Sequence, residues 1–294
     1  MRNIFVVLVY TLCIVCLFVS GGINGALADQ ANKSYNAGYA EMNSNDSVVS
    51  TPTPRTQKKI ELGKLHGLDS GKIGWGILLE GKGKVPEVSE KVVNTFKKYN
   101  AHFIGDPSKK KVYFVFSASY EGGYTPKILK ALSDNDIKAV FFLVGTYIKD
   151  NPQLVKRMIE EGHEIGNHSM THPSLPVVSD EKLKSELIGL DNYVYENFGY
   201  QMKYFMPPSG EYSERVLAAA KQMDYTSILW SIAYVDYDEN NQKGSQYAYS
   251  KVISNLHNGA IIFLHTVSRD NANALDSIIK EIKREGYIIS PMDL

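Results

Sequence analysis

Cysteine is nearly missing from this chain of 294 residues, and what little there is lies at one end. The two cysteines, Cys13 and Cys16, both fall inside an apolar run that covers residues 4–20. If that run is removed, the remaining chain has no cysteine, which excludes both disulfides and cysteine–zinc sites. Such a chain must be stabilised by a large hydrophobic core, and roughly 230 residues beyond the N-terminal region suffice for one large domain.

The sequence also lacks any excess of charge, because 32 basic residues balance 32 acidic ones. No basic stripe marks a surface for nucleic acid, so we expect no nucleic-acid partner. Tyrosine, in contrast, is well represented, with 19 residues. Aromatic rings suit a carbohydrate-binding surface, although tyrosine is also common in ordinary protein cores.

The first residues indicate export. Arg2 supplies a positive charge before the apolar run, and the small-residue pattern Ala-Leu-Ala at 26–28 follows it, as signal peptidase requires. We interpret residues 1–28 as a signal peptide, which makes Asp29 the first mature residue, or as an uncleaved N-terminal anchor. The 17-residue run is near the lower limit for spanning a bilayer, so the anchor remains an alternative. Both interpretations predict an extracytoplasmic protein, either secreted or attached to the membrane through its N-terminus alone.

A polar stretch follows this leader and separates it from the rest of the chain. Up to about position 55 it consists of Asn, Ser, Thr, Pro and Gly with few large apolar residues, so it cannot bury enough surface to order itself. We predict a flexible linker over residues 29–70. Residues 71–294 are predicted to form one domain, with its core at 109–294.

Within this domain, short apolar segments alternate with helical patterns. Seven predicted strands cover residues 111–116, 139–144, 163–166, 204–205, 227–231, 260–264 and 287–289. The predicted helices cover residues 88–99, 125–133, 152–161, 180–198, 213–223, 247–256 and 272–285. This alternation predicts an α/β fold with a parallel sheet, either a barrel or an open doubly wound sheet. In both, the polar residues that follow the strands meet along one rim.

Two histidines, His168 and His172, follow the third predicted strand. Imidazoles four residues apart can face one cation if the segment makes a helical turn, and imidazole suits zinc and similar metals. Two histidines at this spacing are usually incidental. Their setting on a strand-end loop, in Gly-x-x-Ile-Gly-Asn-His-Ser-x-x-His-Pro, favours a metal site.

A third histidine, His265, follows the apolar strand at 260–264. It is either a hydrogen-bonded core residue or, since it shares the rim with the pair, a general acid with a pKa near neutrality. Asp236 follows the strand at 227–231, where it either caps a loop or orients and charges His265. The segment 206–210, Met-Pro-Pro-Ser-Gly, predicts a rigid turn.

Five motifs in this domain resemble the polysaccharide deacetylase (NodB-homology) family, and they resemble most its delta-lactam-forming branch. That branch removes the acetyl group from muramic acid in spore cortex peptidoglycan. The motifs are Tyr-Glu-x-Gly-Tyr-Thr-Pro-Lys from Tyr120, Gly-Asn-His-Ser-x-x-His-Pro from Gly166, Trp-Ser-x-Ala-x-Val-Asp from Trp230, Asn-Asn-Gln-Lys-Gly from Asn240, and Leu-His-Thr-Val-Ser-Arg-Asp-Asn-Ala from Leu264. The resemblance implies a distorted seven-stranded (β/α) barrel and a role in sporulation.

The resemblance also implies a mechanism, namely metal-assisted hydrolysis of an acetamide. In the family, two histidines and a carboxylate hold a divalent ion, and an aspartate held by an arginine takes a proton from water. A histidine on the last strand protonates the leaving amine. By position, His168 and His172 match the metal histidines, His265 matches the acid, and Asp236 matches the residue that supports either that acid or the arginine. The implied substrate-binding residues are Trp230, Tyr124, Pro208 and Gly210.

The first family motif is degenerate in this chain. Where the family has Phe-Asp-Asp-Gly or Phe-Asp-Asn-Gly, this sequence has Phe-Ser-Ala-Ser at 116–119. Ser117 therefore takes the place of the base, Ala118 that of the third metal ligand, and Met206 that of the arginine. A positioned general base is worth about 100- to 10,000-fold in rate, or roughly 3–5 kcal/mol of barrier. Two imidazoles alone predict a weak or absent divalent metal, zinc or similar.

Two functions remain open on the sequence. The protein is either a slow or rewired peptidoglycan deacetylase, with Glu121 or Asp236 recruited as base, or a non-catalytic relative. The second would bind glycan strands or a partner cell-wall enzyme as a scaffold or regulator. Our interpretation favours impaired catalysis with retained recognition of peptidoglycan.

Overall fold

The computed structural model describes residues 57–294, so the predicted leader at 1–28 and most of the predicted linker lie outside the described residues. Within that range no helix is long and apolar enough to cross a membrane. The described end of the predicted linker is not flexible chain, because Ile60 and Leu65 are buried in the domain core. The prediction of a linker through residue 70 is therefore wrong at this end.

Ten strands and eight α-helices make up the described chain. The strands are β1 (Ile73–Gly74), β2 (Ala101–His102), β3 (Lys111–Ala118), β4 (Val140–Leu143), β5 (Glu164–Asn167), β6 (Tyr204–Phe205), β7 (Glu211–Tyr212), β8 (Thr226–Ile228), β9 (Ile261–His265) and β10 (Ile288–Ile289). The helices are α1 (Glu90–Lys98), α2 (Thr125–Asp134), α3 (Gly145–Asp150), α4 (Pro152–Glu160), α5 (Asp180–Phe198), α6 (Glu214–Gln222), α7 (Ser245–Ile253) and α8 (Arg269–Arg284).

Eight of the strands form one curled sheet in which every pair is parallel. The order is β10, β3, β4, β5, β6, β8 and β2, and β9 pairs with the free edge of β3. A single parallel bridge between Ile232, just after β8, and Ile262 of β9 brings the two ends of the sheet together. This confirms the predicted distorted seven-stranded barrel, to which β2 adds one short strand.

The alternation of side chains along β3 shows that both faces of the sheet are buried. Phe114 and Phe116 pack in a cluster that includes the helices, whereas Tyr113 and Val115 pack with residues of other strands in the barrel interior. Successive side chains of a strand point to opposite faces, so a strand that is apolar on both must be covered on both. Following the same alternation, Ser117 faces the interior and Ala118 belongs to the cluster on the helix side.

Three differences from the predicted elements have physical reasons. The predicted strand 227–231 ends at Ile228, because the chain then turns toward β9 and the Ser231 amide donates to the Ile261 carbonyl. The last helix begins at Arg269 rather than 272, because Ser268 caps it by accepting from the Asn271 amide. The strands β1, β2 and β7 were not predicted, because each lies outside the alternation of strands and helices from which the equally short β6 was predicted.

Candidate functional site

A cavity of about 630 Å³ opens at the carboxyl ends of the barrel strands. This is the end of a β/α barrel at which side chains from different strands converge. The lining residues that the sequence singled out are Ser117, His168, His172, Met206, Gly210, Trp230 and His265. The structure thus brings together, around one cavity, seven residues from separate segments of the sequence.

The two histidines of the pair lie side by side in this cavity, with their ring centroids 4.9 Å apart. Nδ1 of His168 lies 2.7 Å from the Met206 carbonyl oxygen, to which it donates. The carbonyl therefore fixes the tautomer and leaves the Nε2 lone pair of His168 available. Burial lowers the pKa of His168 to about 3, and it also lowers the pKa of His172, so both rings are neutral near pH 7.

The loop that carries this pair is held in a conformation that L-residues adopt at a cost. Both Ser169 and His172 have positive φ, at 67° and 58°. Such residues cost of order 1–3 kcal/mol each and persist where the surroundings hold them. The Ser169 hydroxyl accepts from the His172 amide at 2.9 Å. Both oxygens of buried Glu186, on α5, accept from the amide and hydroxyl of Thr171 at 2.7 and 2.6 Å.

The third histidine is held equally firmly, by Asp236. One oxygen of that buried carboxylate lies 2.7 Å from Nδ1 of His265, and the other accepts from the His265 amide at 2.8 Å. Asn271 donates to the second oxygen at 2.6 Å, and Tyr234 in turn donates to the Asn271 side chain. Asp236 is therefore committed to orienting His265, as one of the two interpretations predicted. Sequence analysis missed Asn271, although it lies inside the Leu264 motif.

The described side chains at the positions where the family has its base, third ligand and arginine carry no charge. Ser117 lines the cavity, and Met206 lines it as a fully buried apolar side chain. Ala118 does not reach the cavity, because the alternation of β3 turns it to the helix side. Among the residues that line the cavity there is no aspartate or glutamate.

The candidate replacement base, Glu121, serves a structural role instead. Its Oε1 accepts from the backbone amides of Gly123 and Thr125 at 2.7 and 3.2 Å, at the start of α2. Its Oε2 accepts from the Thr125 hydroxyl at 2.5 Å and from the Tyr147 hydroxyl at 3.0 Å. Glu121 does not line the cavity, so it is a helix cap rather than a proton acceptor.

The donors present do not fit a resident catalytic metal. In residues 57–294 no three His, Cys, Asp or Glu side chains are arranged to hold an ion. Protein sites for catalytic zinc use three protein ligands, and only His168 and His172 are available here. No step of a reaction can therefore be assigned to a bound metal from the described side chains.

The predicted substrate-binding residues divide into two groups. Trp230 and Gly210 line the cavity, whereas Tyr124 and Pro208 do not. Tyr124 precedes α2 and packs against the core, so it belongs to the helix start. Gly210 is required where it lies, because a Cβ on it would approach the Trp230 ring to 2.7 Å.

Several apolar and aromatic lining residues were not predicted. Tyr234 and Tyr237 follow Trp230 in the loop after β8, so their place beside a predicted lining residue was the available signal. No such signal was available for Ile77. It follows β1 and is far in sequence from the other lining residues, and the pairing of β1 with β7 brings it to the cavity. Trp75 fixes that segment by donating from Nε1 to the Trp230 carbonyl at 2.9 Å.

A parallel β/α barrel that presents a histidine pair and a His–Asp pair at its strand ends defines the scaffold of a carbohydrate deacetylase. The family model for polysaccharide deacetylase matches residues 104–228. The peptidoglycan-N-acetylmuramic acid deacetylase PdaA of Bacillus subtilis is 42% identical over 222 residues, which cover 75% of this chain and 84% of PdaA. The chain therefore belongs to the polysaccharide deacetylase family, and the predicted placement near its muramic-acid branch is confirmed.

Two solved structures extend this similarity to the fold. The structure of Bacillus subtilis PdaA, a family 4 carbohydrate esterase, matches with a TM-score of 0.73 and 41% identity, covering 75% of this chain and 95% of that one. A family 4 pseudoenzyme from Bacillus anthracis matches with a TM-score of 0.60 and 28% identity, covering 64% of this chain and 66% of that one. A mutant of that pseudoenzyme with restored enzymatic activity matches equally well, with a TM-score of 0.60.

Proposed function

We propose that this protein binds peptidoglycan glycan in its barrel cavity and that metal-assisted removal of the acetyl group from muramic acid is strongly impaired. The observation that carries the proposal is the make-up of the cavity. Its histidines and aromatic wall are present, but among residues 57–294 no carboxylate lines it. The site can therefore receive a sugar while lacking the proton acceptor and the third ligand of the family mechanism.

Recognition of glycan is supported by the lining of the cavity. Trp230 stacks on Phe263 with ring centroids 4.4 Å apart, and Tyr237 and Tyr120 stand at the mouth, 56% and 50% exposed. A concave site of a few hundred cubic ångströms, mostly apolar with a few fixed polar groups, is typical of small-ligand sites. PdaA, whose name states peptidoglycan N-acetylmuramic acid as its substrate, suggests the same glycan for this chain.

Impaired catalysis is supported by the commitment of the two carboxylates that were candidates for the base. Asp236 holds His265, Glu121 caps α2, and Ser117 cannot accept a proton near neutral pH. The expected loss is about 100- to 10,000-fold for the base alone. A mutant of the Bacillus anthracis pseudoenzyme has restored enzymatic activity, so an inactive relative with this fold can regain activity when its residues are changed.

The predicted export through residues 1–28 supports an extracytoplasmic place of action, where peptidoglycan lies. We also propose that a cell-wall enzyme is a partner for the non-catalytic form. A slow deacetylase is the second candidate. It is favoured by the complete His265–Asp236 pair, which would still protonate a leaving amine.

The decisive test is release of acetate from glycan that contains N-acetylmuramic acid, with added zinc. We expect no turnover above a His265→Ala control from the natural chain. The triple variant Ser117→Asp, Ala118→Asn, Met206→Arg should gain turnover of at least about 100-fold, because it returns the family's residues at the base, ligand and arginine positions and the base position, 117, lines the cavity. Turnover by the natural chain above the control would overturn the impairment and favour the slow deacetylase.

Binding is tested separately by co-sedimentation with purified peptidoglycan. Trp230→Ala should weaken binding, whereas Val93→Ala, at an exposed position of α1 outside the cavity lining, should not. Equal binding by both variants would exclude the cavity as the glycan site.

A further inference from the structure

Ser117 and His265 are direct neighbours in the sheet, and this pairing has a chemical consequence. They are partners in the parallel register of β3 and β9. Neighbouring strands lie about 4.8 Å apart, and side chains in register project from the same face. Both residues line the cavity, so the Ser117 hydroxyl and the His265 imidazole face the same space.

The orientation of His265 leaves a proton acceptor on that side. Its Nδ1 is 2.7 Å from Asp236 Oδ1, so Nδ1 carries the hydrogen and Nε2 keeps its lone pair. Asp236 is buried and accepts two further hydrogen bonds, from the His265 amide and from Asn271. A hydroxyl, a histidine and a buried carboxylate in this order are the parts of a serine nucleophile with its base and orienting group.

We propose that Ser117, His265 and Asp236 form a metal-independent acyl-transfer site that hydrolyses acetyl esters. This activity goes beyond the proposed function, because it uses neither the histidine pair nor a bound ion. It also gives Ser117 a role at the position where the family has its base. The hydrogen bond between the two side chains would close when a ligand occupies the cavity, as often occurs at such sites.

The reaction proceeds in two balanced halves. In the first, Ser117 Oγ bonds to the carbonyl carbon of the ester, and His265 Nε2 takes the hydroxyl proton. The ester C–O bond then breaks, His265 returns that proton to the leaving oxygen, and an alcohol and an acetyl-serine result. In the second half water attacks the acetyl-serine, His265 relays its proton to Ser117 Oγ, and acetate leaves.

The chemistry of the cavity favours an O-acetyl ester over an acetamide. An ester carbonyl is more electrophilic than an amide carbonyl, and an alcohol leaves more readily than an amine. The described residues that line the cavity include no lysine or arginine to polarise a carbonyl, and Ser119 and Tyr120 contribute further hydroxyl groups beside Ser117. Sugars of a glycan that carry acetyl esters on their hydroxyls are thus the substrate class that fits.

The test uses the full chain, treated with a chelator and incubated with para-nitrophenyl acetate. We expect a burst of nitrophenol of one equivalent per chain, and a peptide containing Ser117 heavier by one acetyl group in the mass spectrum. Ser117→Ala should abolish the labelled peptide, and His265→Gln should slow its formation by about 100-fold or more. Ser185→Ala, which alters an exposed serine on α5, should behave like the natural chain.

Acetylation of other residues alone, or an unchanged burst in Ser117→Ala, would overturn the proposal. Absence of any burst from a correctly folded natural chain, judged by circular dichroism, would also overturn it. The Ser117→Asp substitution separates this inference from the proposed function. With a chelator present it should abolish the acetylated peptide and the burst, even in the triple variant that gains acetamide hydrolysis with added zinc, so each chemistry can fail while the other stands.

Discussion

The two sides of the cavity differ in how their residues are held. The histidine side consists of the loop 168–172 together with His265, Asp236 and Asn271, and its polar groups have specific partners in the fold. The other side, here called the β3 side, consists of Ser117 of β3 and Met206, which directly follows β6; both are buried and carry no charge.

Because of this difference, the presence of a residue on one side is weaker evidence for catalytic activity than its presence on the other. Removing a member of the histidine side would leave buried donors or acceptors without partners, which is costly in any fold. Changing a residue of the β3 side leaves no such group. Retention of the histidines is therefore explained in part by stability, whereas the β3 side reflects the chemistry that the site performs.

The largest effect is expected when the histidine side loses its buried carboxylate. Asp236→Ala removes the acceptor of the His265 amide, its Nδ1–H and the Asn271 amide. We expect a loss of about 3–5 kcal/mol in the free energy of unfolding, measured by urea denaturation. Glu239→Ala, at an exposed position in the same loop, is the matched control. A loss below about 1 kcal/mol would contradict the structural role of this side.

A smaller effect is expected at the support of the histidine loop. Burial raises the pKa of Glu186, but hydrogen bonds from Lys182 and Thr171 outweigh burial and hold it below the usual 4.5. The folded state therefore binds fewer protons than the unfolded chain, and stability decreases as the pH falls below about 4.5. Glu186→Gln should cost about 2 kcal/mol at pH 7 and should flatten the acid limb of the stability curve.

The natural chain and Glu186→Gln are compared by urea unfolding between pH 7 and acid. Glu181→Gln, an exposed change on the same helix, controls for the loss of one charge. Parallel curves for the natural chain and Glu186→Gln would show that the Glu186 carboxylate does not support the loop.

The smallest effect is expected on the β3 side. Met206 packs in the barrel interior, and only its backbone carbonyl is used by His168. Met206→Leu conserves volume and apolar character, so the free energy of unfolding should change by less than about 1.5 kcal/mol. Thermal unfolding of this variant beside Asp236→Ala tests the comparison directly. Equal losses in the two variants would remove the distinction between the sides.

Much of the fold could be predicted from the sequence because its long elements have strong patterns. The helix Asp180–Phe198 matches the predicted range, and Ser179 caps it by accepting from the Lys182 amide. The strand Tyr204–Phe205 also matches. The short pairing of β1 with β7 could not be predicted, because it depends on residues 137 or more positions apart that meet only in the folded chain.

The sequence singled out many residues of the candidate site, but it did not predict which contacts each of them makes. The sequence left two roles open for Asp236, a loop cap or a partner of His265. The distance of 2.7 Å between Asp236 Oδ1 and His265 Nδ1 selects the second. Glu121 was a candidate base until its contacts with the start of α2 were known. Tyr124 and Pro208 were assigned to the cavity by motif alone, and packing placed them elsewhere.

The sequence by itself determined the family, the alternation of strands and helices, and the loss of the aspartate, ligand and arginine at Ser117, Ala118 and Met206. These features follow from local patterns and residue identity. The folded chain was needed to show that Ser117 pairs with His265 while Ala118 turns away, and that no carboxylate of the described part of the chain lines the cavity. The physical reason is that register and strand closure bring distant segments together, and the direction of each side chain follows from that register.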